Sequence, residues 1–254
     1  MTLFEARDLA KSFGGIRAVE GVSFGVEAGE IFTIIGPNGA GKTTVFNLIS
    51  RLYDLDRGII LFDGRDISQA PAHAVAGMGI ARTFQNIELF ENATVLSNLL
   101  LGRHSCSRGN FLAELFFTSG NRRDELTHRE KVEEIIDLLD LQHYRDTRVS
   151  GLAYGIRKIV ELGRALAMRP KLILLDEPSS GLNAEETEDM AFWIRDIVRD
   201  LGVTVLMVEH DMNLVGEVSD RVLALNHGQM MALGSPTEVQ SHPDVIRAYL
   251  GGTT

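Results

Sequence analysis

The sequence predicts an α/β fold: a parallel sheet with helices on its faces, preceded by a β-rich N-terminal part and interrupted by a helical stretch. Three observations predict it. A Gly-rich loop at residues 36–43 joins a short apolar run to a helical pattern. From residue 172 onward, apolar runs of strand length alternate with helical patterns, as in successive β-α-β units. Between residues 94 and about 167 the apolar spacing is helical.

The elements follow in order. Residues 3–7, 22–26 and 31–35 are apolar or alternating runs broken by glycine and charge, and read as strands. A helix is expected from 43 to 51, a strand at 59–62 closed by the turn Asp63-Gly64, and a further strand at 80–85. Residues 94–102 form a helix with Thr94 as N-cap. Residues 125–139 form a charged amphipathic helix, and 152–168 a helix ended by Arg169-Pro170. Strands at 172–175, 203–208 and 221–225 then alternate with helices at 185–201 and 211–218. The tail reads as two short strands about a turn near Gly228, then a helix at 245–250, with Met230 and Met231 filling a β-subdomain core.

Bulk properties exclude several classes. A chain of 254 residues suffices for one large α/β domain with a smaller subdomain, and it needs no disulfides for stability. Its single cysteine, Cys106, has no internal partner, which fits a reducing compartment. The net charge of −10, from 25 basic and 35 acidic side chains, argues against broad binding to nucleic acid or anionic lipid. The first ten residues are mixed and charged, unlike a secretory leader. No window reaches the roughly 18 apolar residues that a membrane span needs, so any membrane role is expected to run through partners.

The strongest local signal is Gly36-Pro37-Asn38-Gly39-Ala40-Gly41-Lys42-Thr43, which satisfies G-x-x-x-x-G-K-[ST] between a strand and a helix. Phosphate oxygens need many donors at close range. Glycines let the backbone present its N–H groups, and the helix N-terminus adds partial positive charge. Lys42 is expected to contact the β- and γ-phosphates of ATP and Thr43 to place its hydroxyl on Mg²⁺, with Thr44 completing the nucleotide-binding set. The alternative is a Gly-rich turn with an ordinary lysine. In Leu172-Ile173-Leu174-Leu175-Asp176-Glu177, an apolar strand delivers two carboxylates at its C-terminal end, where open α/β sheets bind ligands. Asp176 is expected to hold Mg²⁺ and Glu177 to polarise the attacking water; alone, the same pattern is a solvated acidic turn. These two motifs define a P-loop NTPase.

Further segments narrow the family. Asp176-Glu177-Pro178-Ser179-Ser180-Gly181-Leu182-Asn183 resembles the Walker B and D-loop of ABC ATPases, and Leu152-Ala153-Tyr154-Gly155-Ile156 a divergent form of their signature. Val208-Glu209-His210-Asp211 resembles their switch-histidine segment. Gln85, in Arg82-Thr83-Phe84-Gln85-Asn86, sits where that family has its Q-loop glutamine. Phe13, in Lys11-Ser12-Phe13-Gly14, sits at the adenine-stacking aromatic. Order and spacing match over essentially the whole chain. The resemblance implies an ABC ATPase domain across residues 1–254. Its core and an antiparallel β-subdomain would lie at 1–85 and 166–254, and its helical subdomain at 86–165. It also implies Gln85 as a metal-contacting and catalytic glutamine, His210 on the γ-phosphate, and Ala153, Tyr154 and Gly155 facing the ATP of a second subunit. Read without the family, His210 caps the following helix and Phe13 belongs to a core.

Two departures stand out. The signature carries Ala153 and Tyr154 where the family has serine and glycine, so a hydroxyl donor is lost. Asn183 replaces a common aspartate. These departures, with Arg-Thr-Phe-Gln, Gly-Leu-Asn, the ending Ile246-Arg247-Ala248-Tyr249-Leu250-Gly251 and the stretch at about 105–129, resemble one ATP-binding subunit of the branched-chain amino acid importers. That resemblance implies two integral membrane permeases, a second ATP-binding subunit in a heterodimer, a periplasmic substrate-binding protein, no nucleic acid, and a place on the cytoplasmic face of the inner membrane. Two alternatives are a lipid or lipopolysaccharide exporter ATPase and a soluble ABC-type ATPase acting on DNA or ribosomes. The single cassette, acidic balance and absence of heptads count against the second. The apolar segment 111–117 is expected either to pack on its subdomain or to dock on a membrane partner.

Overall fold

A computed structural model describes residues 1–83, 87–104 and 119–250. The chain divides into two compact units, residues 1–85 with 171–254, and residues 86–170.

The first unit holds two sheets. β1 (Thr2–Phe13) and β2 (Ile16–Glu27) form a long antiparallel hairpin, and β4 (Arg57–Phe62) and β5 (Arg65–Asp66) extend it to the order β2-β1-β4-β5. The two long strands run well beyond residues 3–7 and 22–26. The reason lies in their register: bulges between Ala6 and Leu9, and a left-handed Asp8, disrupt the period-two pattern that sequence reading relies on. The second sheet comprises β3 (Ile31–Ile35), β6 (Ile80–Arg82), β7 (Leu172–Asp176), β8 (Thr204–Val208), β9 (Arg221–Asn226) and β10 (Gln229–Gly234). Its order is β10-β9-β3-β8-β7-β6. All neighbours are parallel except β10, which returns antiparallel to β9 through the turn at His227-Gly228. The four central strands have no exposed residue, as expected of a parallel sheet covered on both faces.

Alternation along β3 assigns those faces. Phe32 and Ile34 join a core that Phe4, Phe24 and Ile60 share with α1 (Lys42–Ile49). Ile35 points the other way, toward Val215, Val239 and Val245. Those three belong to α7 (Met212–Val218), α8 (Pro236–Gln240) and α9 (Pro243–Leu250). Met230 and Met231 diverge in the same manner. Met230 packs on the first core and accepts the Ser23 N–H on its sulfur at 3.3 Å, whereas Met231 packs on the second. Only one of the two therefore serves the β-subdomain side.

Helix ends follow local chemistry. α2 (Ala72–Met78), not expected from the sequence, is short and ends in left-handed Gly79. α1 stops at Ile49 because Ser50 and left-handed Arg51 close it, two residues before the expected end. α6 (Ala184–Leu201) opens on a capping box in which Asn183 accepts the Glu186 N–H at 3.0 Å and donates its own N–H to Glu186 at 2.9 Å. Asn183 therefore keeps a helix-starting role without the aspartate charge. Asp211, not His210, caps α7, accepting from the Asn213 and Leu214 amides.

The second unit is helical: α3 (Val95–His104), α4 (Ser119–Leu138) and α5 (Tyr154–Ala167). Thr94 caps α3 by accepting the Ser97 N–H at 3.1 Å. Leu99, Ile135 and Leu139 close around Gly163 of α5. α5 begins at Tyr154, two residues later than expected, because Leu152 and Ala153 are extended. The expected boundary at 165–166 falls inside this helix.

Candidate functional site

The C-terminal ends of β3, β7 and β8 bring together most of the predicted residues of the first unit. The loop leaving β3 is tightly constrained. At Gly36, with φ of 152°, a side-chain carbon would lie 2.3 Å from the Leu225 carbonyl oxygen; at Gly41, with φ of 102°, one would lie 2.4 Å from that of Ala18. Neither position admits a side chain. The Ala40 carbonyl accepts the Gly228 N–H at 2.9 Å, which ties the loop to the β9–β10 turn. Pro37 is half-buried, Ala40 buried, and Asn38, Gly39 and Thr43 exposed, with Thr44 half-buried behind them.

Lys42 opens α1 and is buried. Its Nζ donates to the carbonyls of Gly36 at 2.7 Å and Pro37 at 3.1 Å, so the loop closes over its own ammonium. Burial draws this ammonium below the usual lysine range, against the opposing charges of Glu177 and Asp176. Those carboxylates end β7. Asp176 is buried, and its Oδ2 accepts from Arg82 Nη2 at 2.8 Å. Glu177 follows in a left-handed conformation, φ 52°, an uncommon state for a non-glycine residue. His210, beyond β8, sets its Nδ1 3.9 Å from Glu177 Oε2, with its side chain largely exposed. Exposure, and the cap supplied by Asp211, leave the imidazole directed at neither helix end nor core.

Phe13 ends β1 and is 41% exposed, so it is not a core residue. Its ring meets Tyr53 edge-on at 5.1 Å, and Lys11 Nζ lies 5.5 Å from its centre. Tyr249, on the terminal helix, neighbours the loop start; burial pushes its phenol up, against the pull of the Gly36 N–H. In the second unit, Ala153 precedes α5 without a side-chain cap, Tyr154 is exposed and Gly155 buried. The carbonyls of Leu152 and Ser150 accept from Arg157, fixing the turn before the helix. Gln85, Cys106, the apolar segment 111–117 and Gly251 lie outside the described residues.

Two residues that sequence reading passed over join the site. Arg82 ends β6 and donates from Nη1 to Asn47 Oδ1 and Ser50 Oγ, both at 2.8 Å, and from Nη2 to Asp176, so it bridges α1 and β7. Glu209 is fully buried between the loops after β7 and β8. The signal for each was a charged residue at a strand end close to a recognised motif residue, Arg82 three positions before Gln85 and Glu209 directly before His210.

Known proteins supply the family. A family model described as "ABC transporter" matches residues 19–180, and one described as "Branched-chain amino acid ATP-binding cassette transporter" matches residues 229–253. The chain is 41% identical to the high-affinity branched-chain amino acid transport ATP-binding protein BraF of Pseudomonas aeruginosa, over 98% of each chain. It is 36% identical to LivG of Escherichia coli, over 98% of each, and 36% identical to the lipopolysaccharide export ATP-binding protein LptB of Haemophilus influenzae, over 99% of this chain and 98% of that one. The ADP conformation of MJ1267, an ATP-binding cassette of an ABC transporter, superposes with a TM-score of 0.86 at 32% identity, covering 99% of both chains. The chain belongs to the ABC transporter family, as one of its ATP-binding, ATP-hydrolysing subunits.

Proposed function

We propose that this chain binds ATP at residues 36–44 and hydrolyses it to power an importer of branched-chain amino acids or related small polar compounds. The observation that carries the reading is the convergence of Lys42, Asp176, Glu177 and His210 at adjoining strand ends. Phosphates lie against the loop of Gly36, Pro37, Asn38, Gly39, Ala40 and Gly41, in which every residue but Pro37 carries a backbone N–H, with Lys42 turning from the loop carbonyls to the β- and γ-phosphates and Thr44 at the helix start. Phe13 offers an exposed ring face to adenine. Glu177 takes the proton of the attacking water, and His210, beside it, contacts the γ-phosphate.

The donors near the phosphate loop suit a hard cation: the exposed Thr43 hydroxyl and the Asp176 carboxylate, whose Oδ2 alone is engaged by Arg82. Thr43 and Asp176, with Gln85, would hold Mg²⁺. When bound, Mg²⁺ neutralises charge on the phosphates. Ala153, Tyr154 and Gly155 face the ATP of a second subunit. Because Ala153 brings no hydroxyl, a partner with a complete signature makes the better site at this chain's own Lys42, Asp176 and Glu177. The working assembly is therefore a heterodimer on two permeases, fed by a periplasmic binding protein, at the cytoplasmic face of the inner membrane. No helix among the described residues is long and apolar enough to cross a membrane, so attachment runs through the permeases.

Similarity to LptB supports a second reading, an export ATPase. The branched-chain model on residues 229–253 favours import. The test is transport of labelled leucine by the purified assembly in proteoliposomes with ATP sealed inside. ATP-dependent uptake that requires this chain and the second ATP-binding subunit is expected. Hydrolysis without amino-acid movement would overturn the substrate class, outward movement of lipid would overturn import, and uptake by a homodimer of this chain would overturn the heterodimer.

A further inference from the structure

We propose that Glu209 is a positioning residue that holds Glu177 and His210 in working relation by bracing the two loops that carry them. The proposal rests on the reading of Glu177 as the general base.

Glu209 has no exposed surface. An uncompensated carboxylate there would be costly, and the compensation comes from backbone amides. Oε1 accepts the Ser179 N–H at 2.8 Å; Oε2 accepts the N–H of His210 at 2.8 Å and of Asp211 at 3.2 Å. Charge-assisted bonds of this kind are about twice as strong as neutral ones. Among the described residues its one ion-pair neighbour is His210 Nδ1, at 3.9 Å. The two oxygens therefore face different loops. One grips the turn two residues beyond Glu177, and the other grips the backbone of His210 itself.

The remaining bonds fix where this brace sits. The Glu209 N–H donates to Ile34 O at 3.2 Å, anchoring it to the strand that feeds the phosphate loop. The Glu177 N–H donates to Val208 O at 2.9 Å, and the Ser180 N–H to Glu177 O at 3.1 Å. Glu177 thus lies between a fixed strand end and a turn whose next amide is held by Glu209. A left-handed non-glycine residue persists only where its surroundings over-determine it, and this brace supplies that constraint. The 3.9 Å between Glu177 Oε2 and His210 Nδ1 is longer than a hydrogen bond, so no direct bond between these two atoms holds the pair, and the backbone that Glu209 joins carries the loops on which both stand.

Glu209→Gln tests the brace with little change of shape. An amide offers one oxygen, so whichever loop keeps it, the other meets an NH₂ group facing an N–H, and one loop is released. In the full assembly, kcat for ATP is expected to fall about 30- to 100-fold, the scale of a misplacement of about 1 Å. The affinity of the full-length chain for a fluorescent ATP analogue without Mg²⁺ should change less than about threefold, because the phosphate loop is untouched. Wild-type kcat in a folded Glu209→Gln protein would overturn the proposal, as would equal losses of affinity and kcat, which mark a merely structural role. If Glu209→Gln does not fold, Glu209→Asp is read the same way, since it keeps both acceptors but withdraws them by one methylene. Glu177→Gln runs alongside: wild-type turnover in that variant overturns the base assignment itself, whereas an inactive Glu177→Gln beside a fully active Glu209→Gln overturns only the brace.

Discussion

Glu177→Gln is expected to retain nucleotide and to lose turnover by about 10²–10⁴-fold, the usual worth of general-base catalysis. Glu177 directly follows β7, next to the Asp176 carboxylate, and its side chain is 20% exposed, open enough to reach a water. Asp176 cannot take its place. It is buried, and one of its oxygens is committed to Arg82. The amide of glutamine keeps the shape and can still orient water, but it accepts no proton. Phosphate release measured on the purified assembly checks this. Turnover at the wild-type rate would remove Glu177 from the reaction.

The second large effect is on stability. Arg82→Met is expected to cost about 3–5 kcal/mol, the cost of leaving one half of a buried ion pair uncompensated. Both partners are nearly inaccessible, with side chains 9% and 4% exposed. Arg82 also lies over the Phe46 ring, 5.6 Å from its centre, and joins Asn47 and Ser50 to Asp176. Loss of the fork unties α1 from β7, so thermal unfolding should move down by on the order of 10 °C. Arg82→Lys should recover only part of this, because an ammonium cannot serve the three acceptors in one planar arrangement. An unchanged melting temperature in Arg82→Met would show that the pair contributes nothing net.

The contrast between Glu177 and Arg82 marks what the sequence made legible. The phosphate loop is contiguous, and Gly36 and Gly41 carry its conformational demand in residue type alone. The strand ending in Asp176-Glu177 was equally plain, since an apolar run followed by two acids states both burial and emergence. Arg82 and Glu209 act through groups 94 and 30 residues away, respectively, and no spacing rule marks such pairings. His210 and Asp211 are adjacent, and only geometry shows that the aspartate caps the helix and the histidine does not. Bulges displace the alternation in β1 and β2 and hide their full length from the sequence pattern, and α2, seven residues long, is too short to carry a helical period. The antiparallel pairing of β1, β2 and β4 followed from the family resemblance; the residues themselves implied only that the region was β-rich.

Under the proposed function, residues 36–44 bind the nucleotide and Glu177 acts on it. Calorimetric titration of ATP onto the full-length chain tests that division most directly when the wild type, Lys42→Ala and Glu177→Gln are compared. Lys42 makes two charge-assisted bonds to loop carbonyls and is expected to transfer them to phosphate oxygens, each worth about 1.5–3 kcal/mol. The predicted result is one site per chain, weakened at least about tenfold in Lys42→Ala and unchanged in Glu177→Gln. Binding indifferent to Lys42, or abolished by Glu177→Gln, would contradict it.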